Sequence, residues 1–177
     1  FEINITMNTR FNGHLVIVFA LEHYNPLNMI RAFGEQGINP VYISVKRRYE
    51  TACRSKYIST LHRVDSVEEG YQLLMETYGN EELKPYIVFS DDKSVGYFDL
   101  HYDEWKDKFI TYNAGKAGRI NEFMDKFEIQ QLAKKHGFNV LDSYVISKDD
   151  ALPEKLWYPV ITKAISPNSG SWKGDVF

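Results

Sequence analysis

Three short apolar runs stand out in the first half of the chain. Residues 15–20 (LVIVFA) are apolar without a break, and residues 40–45 and 86–89 are rich in β-branched and aromatic side chains. Unbroken runs of this length are typical of strands that are buried on both faces, as in a parallel sheet. The pattern therefore predicts three strands of such a sheet.

Helix signals lie between these runs. Asn25 and Pro26 predict a helix start, with the asparagine as N-cap, and Gly37 predicts its end. A second helix is predicted between Ser66, which is followed three residues later by a glutamate, and Gly79. A strand, a helix and a strand in succession favour a parallel pair with a right-handed crossover. The predicted fold class is α/β.

Acidic residues follow the run at 86–89 directly. Asp91 and Asp92 come where that strand is predicted to end. Open α/β sheets bind ligands at the carboxyl ends of their strands, so these carboxylates are candidate contacts for a substrate amine or a metal. The alternative is a capping role, in which Asp92 or Ser90 is the N-cap of the next helix.

A small, glycine-containing connector at residues 113–118 (NAGKAG) predicts a domain boundary. The helical stretch that follows, residues 119–136, has apolar residues on two different faces. A restart at Asp125, with Glu128 as a reciprocal cap, explains the shift and puts Lys126 in the first turn of the new helix. The predicted domains are therefore residues 1–113 and 119–177.

Two more strands are predicted after this helix, at residues 139–146 and 158–164, and Lys163 lies at the end of the second one. The next residues form a loop with no apolar periodicity. Glycine lets the backbone approach phosphate oxygens, and lysine supplies positive charge, so a phosphate cradle is one interpretation. An ordinary surface loop is the other, because the spacing matches neither G-x-x-x-x-G-K-[ST] nor G-x-G-x-x-G. The loop residues of interest are Ser169, Gly170, Ser171, Lys173 and Gly174.

Composition narrows the choice of function. A formal net charge of -3 and a pI near 6.0 give no general attraction to nucleic acid or to an anionic membrane. Cys53 is the only cysteine, which excludes an intrachain disulfide and favours a cytoplasmic protein. No apolar run approaches the roughly 18 residues that a membrane span needs. We expect neither nucleic acid nor a membrane among the partners.

In their order, these features resemble the ATP-grasp ligases. In that family a helix that carries a lysine or arginine precedes a G-x-x-x-P segment, a strand that ends in V-x-K-P, and a glycine-rich loop. The corresponding segments here are residues 124–126 (MDK) with the following helix, 137–140 (GFNV), 159–164 (PVITKA) and 168–174 (NSGSWKG). The chain departs from the family at Ala164 and Val140, where proline is usual.

The resemblance implies a three-layer, Rossmann-like pre-ATP-grasp domain with a parallel sheet over residues 1–113. It implies the first, small α+β subdomain of the ATP-grasp domain over residues 119–177, cut after the glycine-rich loop. Lys126 and Lys163 would contact the nucleotide phosphates, and the five loop residues named above would fold over them. ATP would convert a carboxylate to an acylphosphate, which an amine or similar nucleophile attacks to form a C–N bond.

The resemblance also implies substrates and cofactors. The preceding domain of these ligases often helps to bind the acceptor, and Glu22, His23 and Asn25 join Asp91 and Asp92 as candidates by position. ATP and Mg²⁺ are the expected cofactors, with a small carboxylate and an amine as substrates. The family's Mg²⁺ ligands follow the loop, so no metal ligand is expected in these residues.

Several questions stay open at this stage. We expect the 177 residues to be the N-terminal portion of a ligase that is inactive by itself and binds ATP weakly. No catalytic residue is assigned, and a homodimer is left open. A noncatalytic, doubly wound α/β module for ligand binding or regulation is the main alternative. A nonenzymatic ATP-grasp relative is another.

Overall fold

The computed structural model describes residues 9–46, 50–147 and 149–162. Lys163 and the loop residues Ser169, Gly170, Ser171, Lys173 and Gly174 lie outside the described residues. The chain divides into two compact units, residues 1–118 and residues 119–177.

A mostly parallel sheet organises the first unit. Its strands are β1 (Arg10–Phe11), β2 (His14–Leu21), β3 (Val41–Val45), β4 (Thr60–Val64) and β5 (Tyr86–Phe89). The parallel strands lie in the order β4-β3-β2-β5, and β1 pairs antiparallel with the start of β2. An isolated parallel bridge between Tyr86 and Ile110 extends the sheet beyond β5.

Six α-helices lie in the described part of the chain. They are α1 (Tyr24–Glu35), α2 (Val67–Tyr78), α3 (Asp92–Leu100), α4 (Tyr102–Trp105), α5 (Arg119–Met124) and α6 (Lys126–Lys135), and a 3-10 turn spans Ala52–Arg54. With the parallel sheet, they confirm the predicted α/β class.

One face of the sheet is covered by α1 and the 3-10 turn. Neighbouring residues of a strand point to opposite faces, so Val18 and Ala20 of β2 share one face. Both are fully buried in a cluster that also contains Ile30 of α1, Tyr42 of β3 and Ala52 of the 3-10 turn.

The opposite face is covered by α2 and α3. Phe19 points to this face and meets Phe98 of α3 edge to face, with 5.1 Å between the ring centroids. The α2 backbone also comes close, because a Cβ placed at Gly70 would lie 2.8 Å from the tip of the Phe19 ring. Helices therefore lie on both faces of the sheet, with β2 at its buried centre.

Two predicted helix starts agree with the structure. Ser66 is the N-cap of α2, and its side chain accepts a hydrogen bond from Glu69 N at 3.1 Å. The helix break in the second unit is also confirmed, because Asp125 is the N-cap of α6 and accepts hydrogen bonds from Phe127 N and Glu128 N.

Three sequence predictions about local structure are wrong. The N-cap of α1 is His23, not Asn25, and the helix begins at Tyr24. β4 lies at residues 60–64, where the sequence indicated only a short extended piece ending at Thr60. Residues 139–147, predicted largely as a strand, have no regular secondary structure, nor do residues 158–162.

We expect Gly34→Ala to destabilise the first unit. A Cβ at this position of α1 would overlap Cγ and Cδ1 of Tyr57 and lie 2.5 Å from its Cβ. Tyr57 cannot easily move away, since Asn39 donates a hydrogen bond to its carbonyl at 2.9 Å. Overpacking costs about 1–3 kcal/mol, which offsets the roughly 1 kcal/mol that alanine gains over glycine in a helix.

Urea denaturation would measure this change. Asn28→Ala, at an exposed position of the same helix, is the matched control and should change the free energy of unfolding by less than about 0.5 kcal/mol. A Gly34→Ala protein at least as stable as the wild type would contradict the close approach of α1 to Tyr57.

Candidate functional site at the carboxyl edge of the sheet

The carboxyl ends of β2 and β5 lie side by side, and Asp91 joins them. Its Oδ2 accepts a hydrogen bond from Leu21 N at 2.8 Å, at the end of β2. Its Oδ1 accepts from Ser94 N at 2.8 Å, which makes Asp91 the N-cap of α3. The sequence allowed a capping role for Asp92 or Ser90. In the structure the N-cap of α3 is Asp91 instead.

Asp92 is exposed in the first turn of α3. It lies near Tyr112, which the sequence did not indicate as a site residue. Partial burial, together with the negative charges of Asp91 and Asp92, raises the pKa of Tyr112 to about 12. The Tyr112 ring meets Phe89 edge to face at 6.0 Å. The apolar and β-branched run at residues 109–112 (FITY) was the available signal, because the bridge at Ile110 brings Tyr112 to the edge beside β5.

Glu22 lies directly after β2 and is 3% exposed. Its Oε2 accepts hydrogen bonds from Tyr42 Oη at 2.6 Å and from Ser44 Oγ at 3.2 Å, and its Oε1 accepts from Ala52 N at 2.6 Å. The Cys53 thiol lies 3.6 Å from Glu22 Oε2. A buried carboxylate is tolerated when donors satisfy it in this way. Glu22 thus connects β2, β3 and the 3-10 turn.

Burial also determines the protonation of the Tyr42 hydroxyl and the Cys53 thiol, which both contact Glu22. It raises the pKa of Tyr42 far above the usual value for tyrosine, and the hydrogen bond to the Glu22 carboxylate adds to the effect. Burial likewise raises the pKa of the Cys53 thiol, so its thiolate form is disfavoured. Both groups remain protonated donors at neutral pH, and Cys53 lacks the activation that a nucleophile needs.

His23 and Asn25 lie at the start of α1, beside the same edge. His23 Nδ1 accepts a long hydrogen bond of 3.5 Å from Asn25 N, and its ring lies against the Tyr24 ring at 3.8 Å between centroids, tilted by 39°. Tyr24 and Asn25 are exposed, and the first turn of α1 has no acidic residue. Asn25 N is bonded to His23 and Pro26 has no N–H, so the helix dipole is what favours negative charge at this end of α1.

Lys126 belongs to the second unit. It is the first residue of α6, directly after the Asp125 cap, and it is exposed. It is the predicted nucleotide contact that falls within the described residues, whereas Lys163 and the five loop residues fall outside them.

The described residues contain neither a cluster of metal ligands nor a membrane-spanning helix. No group of three or more His, Cys, Asp or Glu side chains there is arranged to hold a metal ion. Within the same residues, none of the helices has the length and apolar character needed to cross a membrane.

The chain was also compared with known proteins. No protein-family model matches it, and no curated protein matches it either.

We expect Glu22→Gln to destabilise the protein. Both carboxylate oxygens accept hydrogen bonds, whereas an amide would replace one oxygen with a donor that faces Tyr42 Oη or Ala52 N. A hydrogen bond to a charged group contributes about 1.5–3 kcal/mol, and a loss of this size is expected in the free energy of unfolding. Glu35→Gln, at an exposed glutamate of α1, is the control. Equal urea midpoints for the two variants would rule out a stabilising role for the Glu22 contacts.

Proposed function

We propose that this chain forms part of an ATP-dependent ligase of the ATP-grasp type. In this proposal ATP activates a carboxylate as an acylphosphate, and an amine or similar nucleophile then attacks it. The observation that carries the proposal is the helix break at Asp125, which puts Lys126 in the first turn of α6. That position is the one the resemblance assigns to the helix lysine of the family.

The architecture of the first unit supports the same proposal. Its parallel strand order β4-β3-β2-β5, with helices on both faces, is compatible with a Rossmann-like pre-ATP-grasp domain. A shared architecture does not determine function, so this support is weaker than that of Lys126. The second unit, residues 119–177, is the proposed start of the ATP-grasp domain.

Lys126 is suited to a phosphate in charge and in position. A lysine side chain can make a charge-assisted contact to a phosphate oxygen, and Lys126 is exposed at the start of α6, directly after the Asp125 cap. By the same resemblance, Lys163 would also contact the phosphates, and Ser169, Gly170, Ser171, Lys173 and Gly174 would belong to the loop that folds over them. The described residues contain no group of three carboxylates or imidazoles that fits Mg²⁺, so the proposal assigns no Mg²⁺ ligand to them.

The carboxyl edge of the sheet is the proposed contact for the acceptor substrate. Glu22 and Asp91 are already held by several donors of the fold, and we assign them the role of positioning residues. Asp92, His23 and Asn25 are the candidates for direct contact. A substrate amine would be attracted to Asp92, and a substrate carboxylate to the N-terminus of α1.

Release of ADP and phosphate tests the proposed reaction. The full-length gene product would be incubated with ATP, Mg²⁺ and a panel of amino acids and small carboxylates. We expect one of these compounds to raise ADP release. Lys126→Ala and Lys163→Ala should each lower kcat/KM for ATP by roughly 10- to 100-fold, the effect expected for one charge-assisted contact to phosphate.

Lys116→Ala is the matched control, because Lys116 is an exposed lysine in the connector between the units. Its kcat/KM should equal that of the wild type. If no compound raises ADP release, and wild type and the two lysine variants bind ATP equally poorly, the ligase proposal is wrong. The noncatalytic α/β binding module would then be the better description.

Replacing each aspartate with the neutral asparagine distinguishes the roles of Asp91 and Asp92. We expect Asp92→Asn to raise KM for the amine substrate by several-fold at unchanged stability, because Asp92 is exposed. Asp91→Asn should instead lower the free energy of unfolding by about 1–2 kcal/mol, since Asp91 is the cap of α3 and holds the end of β2. Steady-state kinetics and urea denaturation of both proteins test this. Unchanged kinetics in Asp92→Asn would remove Asp92 from the site.

A further inference from the structure

His62 lies in β4, on the side of the sheet that α2 covers. Its neighbour Leu61 packs against the cluster that contains Ile30 of α1, and successive side chains of a strand point to opposite faces. His62 is therefore directed toward α2, and it is partly buried there. Among the described strands β4 pairs with β3 alone, so its contacts with α2 help to hold this edge strand in place.

A short hydrogen bond joins His62 to the last turn of α2. His62 Nε2 lies 2.7 Å from Tyr78 Oη, and the two rings meet edge to face at 5.8 Å between centroids. Burial and the negative charge of Glu81 raise the pKa of Tyr78, so its hydroxyl keeps its proton. A neutral imidazole has one nitrogen that accepts a hydrogen bond, and Tyr78 can donate to it. The pair thus connects β4 to the end of α2.

Protonation of His62 would work against this contact. In an imidazolium both ring nitrogens are donors, so Nε2 could no longer accept from Tyr78. Burial also disfavours the charged form and lowers the pKa of His62 below its usual value. A proton therefore binds less readily to His62 in the fold than in the unfolded chain.

The groups around His62 do little to offset a positive charge on its ring. Ile43 is its partner in β3 and is apolar, and its two nearest neighbours on the same face of β4 are uncharged. Tyr78 is the titratable group that meets it from α2. Glu81, just beyond that helix, is already paired with Arg10 at 2.8 Å. Burial of the ring is therefore the cause of its lowered pKa.

We propose that His62 and Tyr78 form an acid-sensitive latch between β4 and α2, which is closed while His62 is neutral and is weakened when His62 takes up a proton. Because the fold lowers the pKa of His62, the stability that the neutral ring contributes is complete above the usual pKa of about 6.5. It is lost as the pH falls through the folded value, so the sensitive range is mildly acidic.

The latch lies on the route to the candidate site. α2 leads into β5, and Asp92 follows the carboxyl end of β5, so an open latch would loosen a segment that precedes this candidate contact. The latch needs neither ATP nor a substrate. It goes beyond the proposed ligase reaction and does not depend on it.

An NMR titration of the His62 ring tests the latch directly. We expect a midpoint below about 6.5 in the wild type, and a higher midpoint in Tyr78→Phe, because the neutral ring then loses its donor. Tyr144→Phe, at an exposed tyrosine of the second unit, is the matched control and should leave the midpoint unchanged. A wild-type midpoint at or above about 6.5 would overturn the proposal, and this part of the test needs no variant to fold.

Urea denaturation at about pH 7.5 and about pH 5.0 measures the effect on the fold. Glutamine at position 62 does not titrate and its amide oxygen can accept from Tyr78, so His62→Gln keeps the contact at both pH values. Between them, the unfolding constant of the wild type should rise at least about threefold more than that of His62→Gln. The limit for a histidine of usual pKa is about 30-fold. Equal changes in the two proteins would contradict an acid-sensitive latch.

Discussion

The pairing of β2 on both of its edges is the constraint on which the first unit depends. β3 lies along one edge and β5 along the other, with Phe19 aligned to both Ile43 and Phe89. Residues 17–20 have no exposed surface, so side chains from both faces of the strand belong to the core. Helices on each face are required to bury them, and the alternation of side chains along β2 assigns α1 to one face and α2 and α3 to the other.

Buried polar contacts then determine what the carboxyl edge of the sheet can offer a ligand. Glu22 and Asp91 follow β2 and β5 directly, and both are used to hold neighbouring segments in place. A carboxylate that is satisfied by several protein donors has little left for a substrate. Asp92, Tyr24 and Asn25 remain exposed at this edge, so a ligand there would meet the Asp92 carboxylate or the start of α1.

The two units differ in how their apolar residues are used. In the first unit the strands, α1, α2 and α3 share a core in which Ile30, Tyr42 and Leu74 are fully buried. In the second unit every described residue retains solvent exposure, and α6 leaves its apolar side open. The hydrophobic effect favours covering that side, whatever function the unit has.

Local sequence signals were sufficient to predict where several helices begin. Ser66 and Asp125 are helix caps because their side chains bond to amides only two or three residues away, and such contacts can be read directly from the sequence. The cap of α1 was misassigned because the chain turns into the helix immediately after β2, which leaves His23, not Asn25, at the boundary. Tyr112 was missed as a neighbour of Asp91 and Asp92, since only the bridge at Ile110 brings it there.

By itself, the sequence determined the α/β class, the central strands and the position of Lys126, because apolar runs and helix caps depend on neighbouring residues. Only the tertiary structure decided the partners of each strand. β4 is an edge strand with polar residues, and it is a strand because β3 pairs with it. Residues 139–147 have apolar content typical of a strand but no regular structure, since a strand needs hydrogen bonds from a neighbour that its own sequence does not supply.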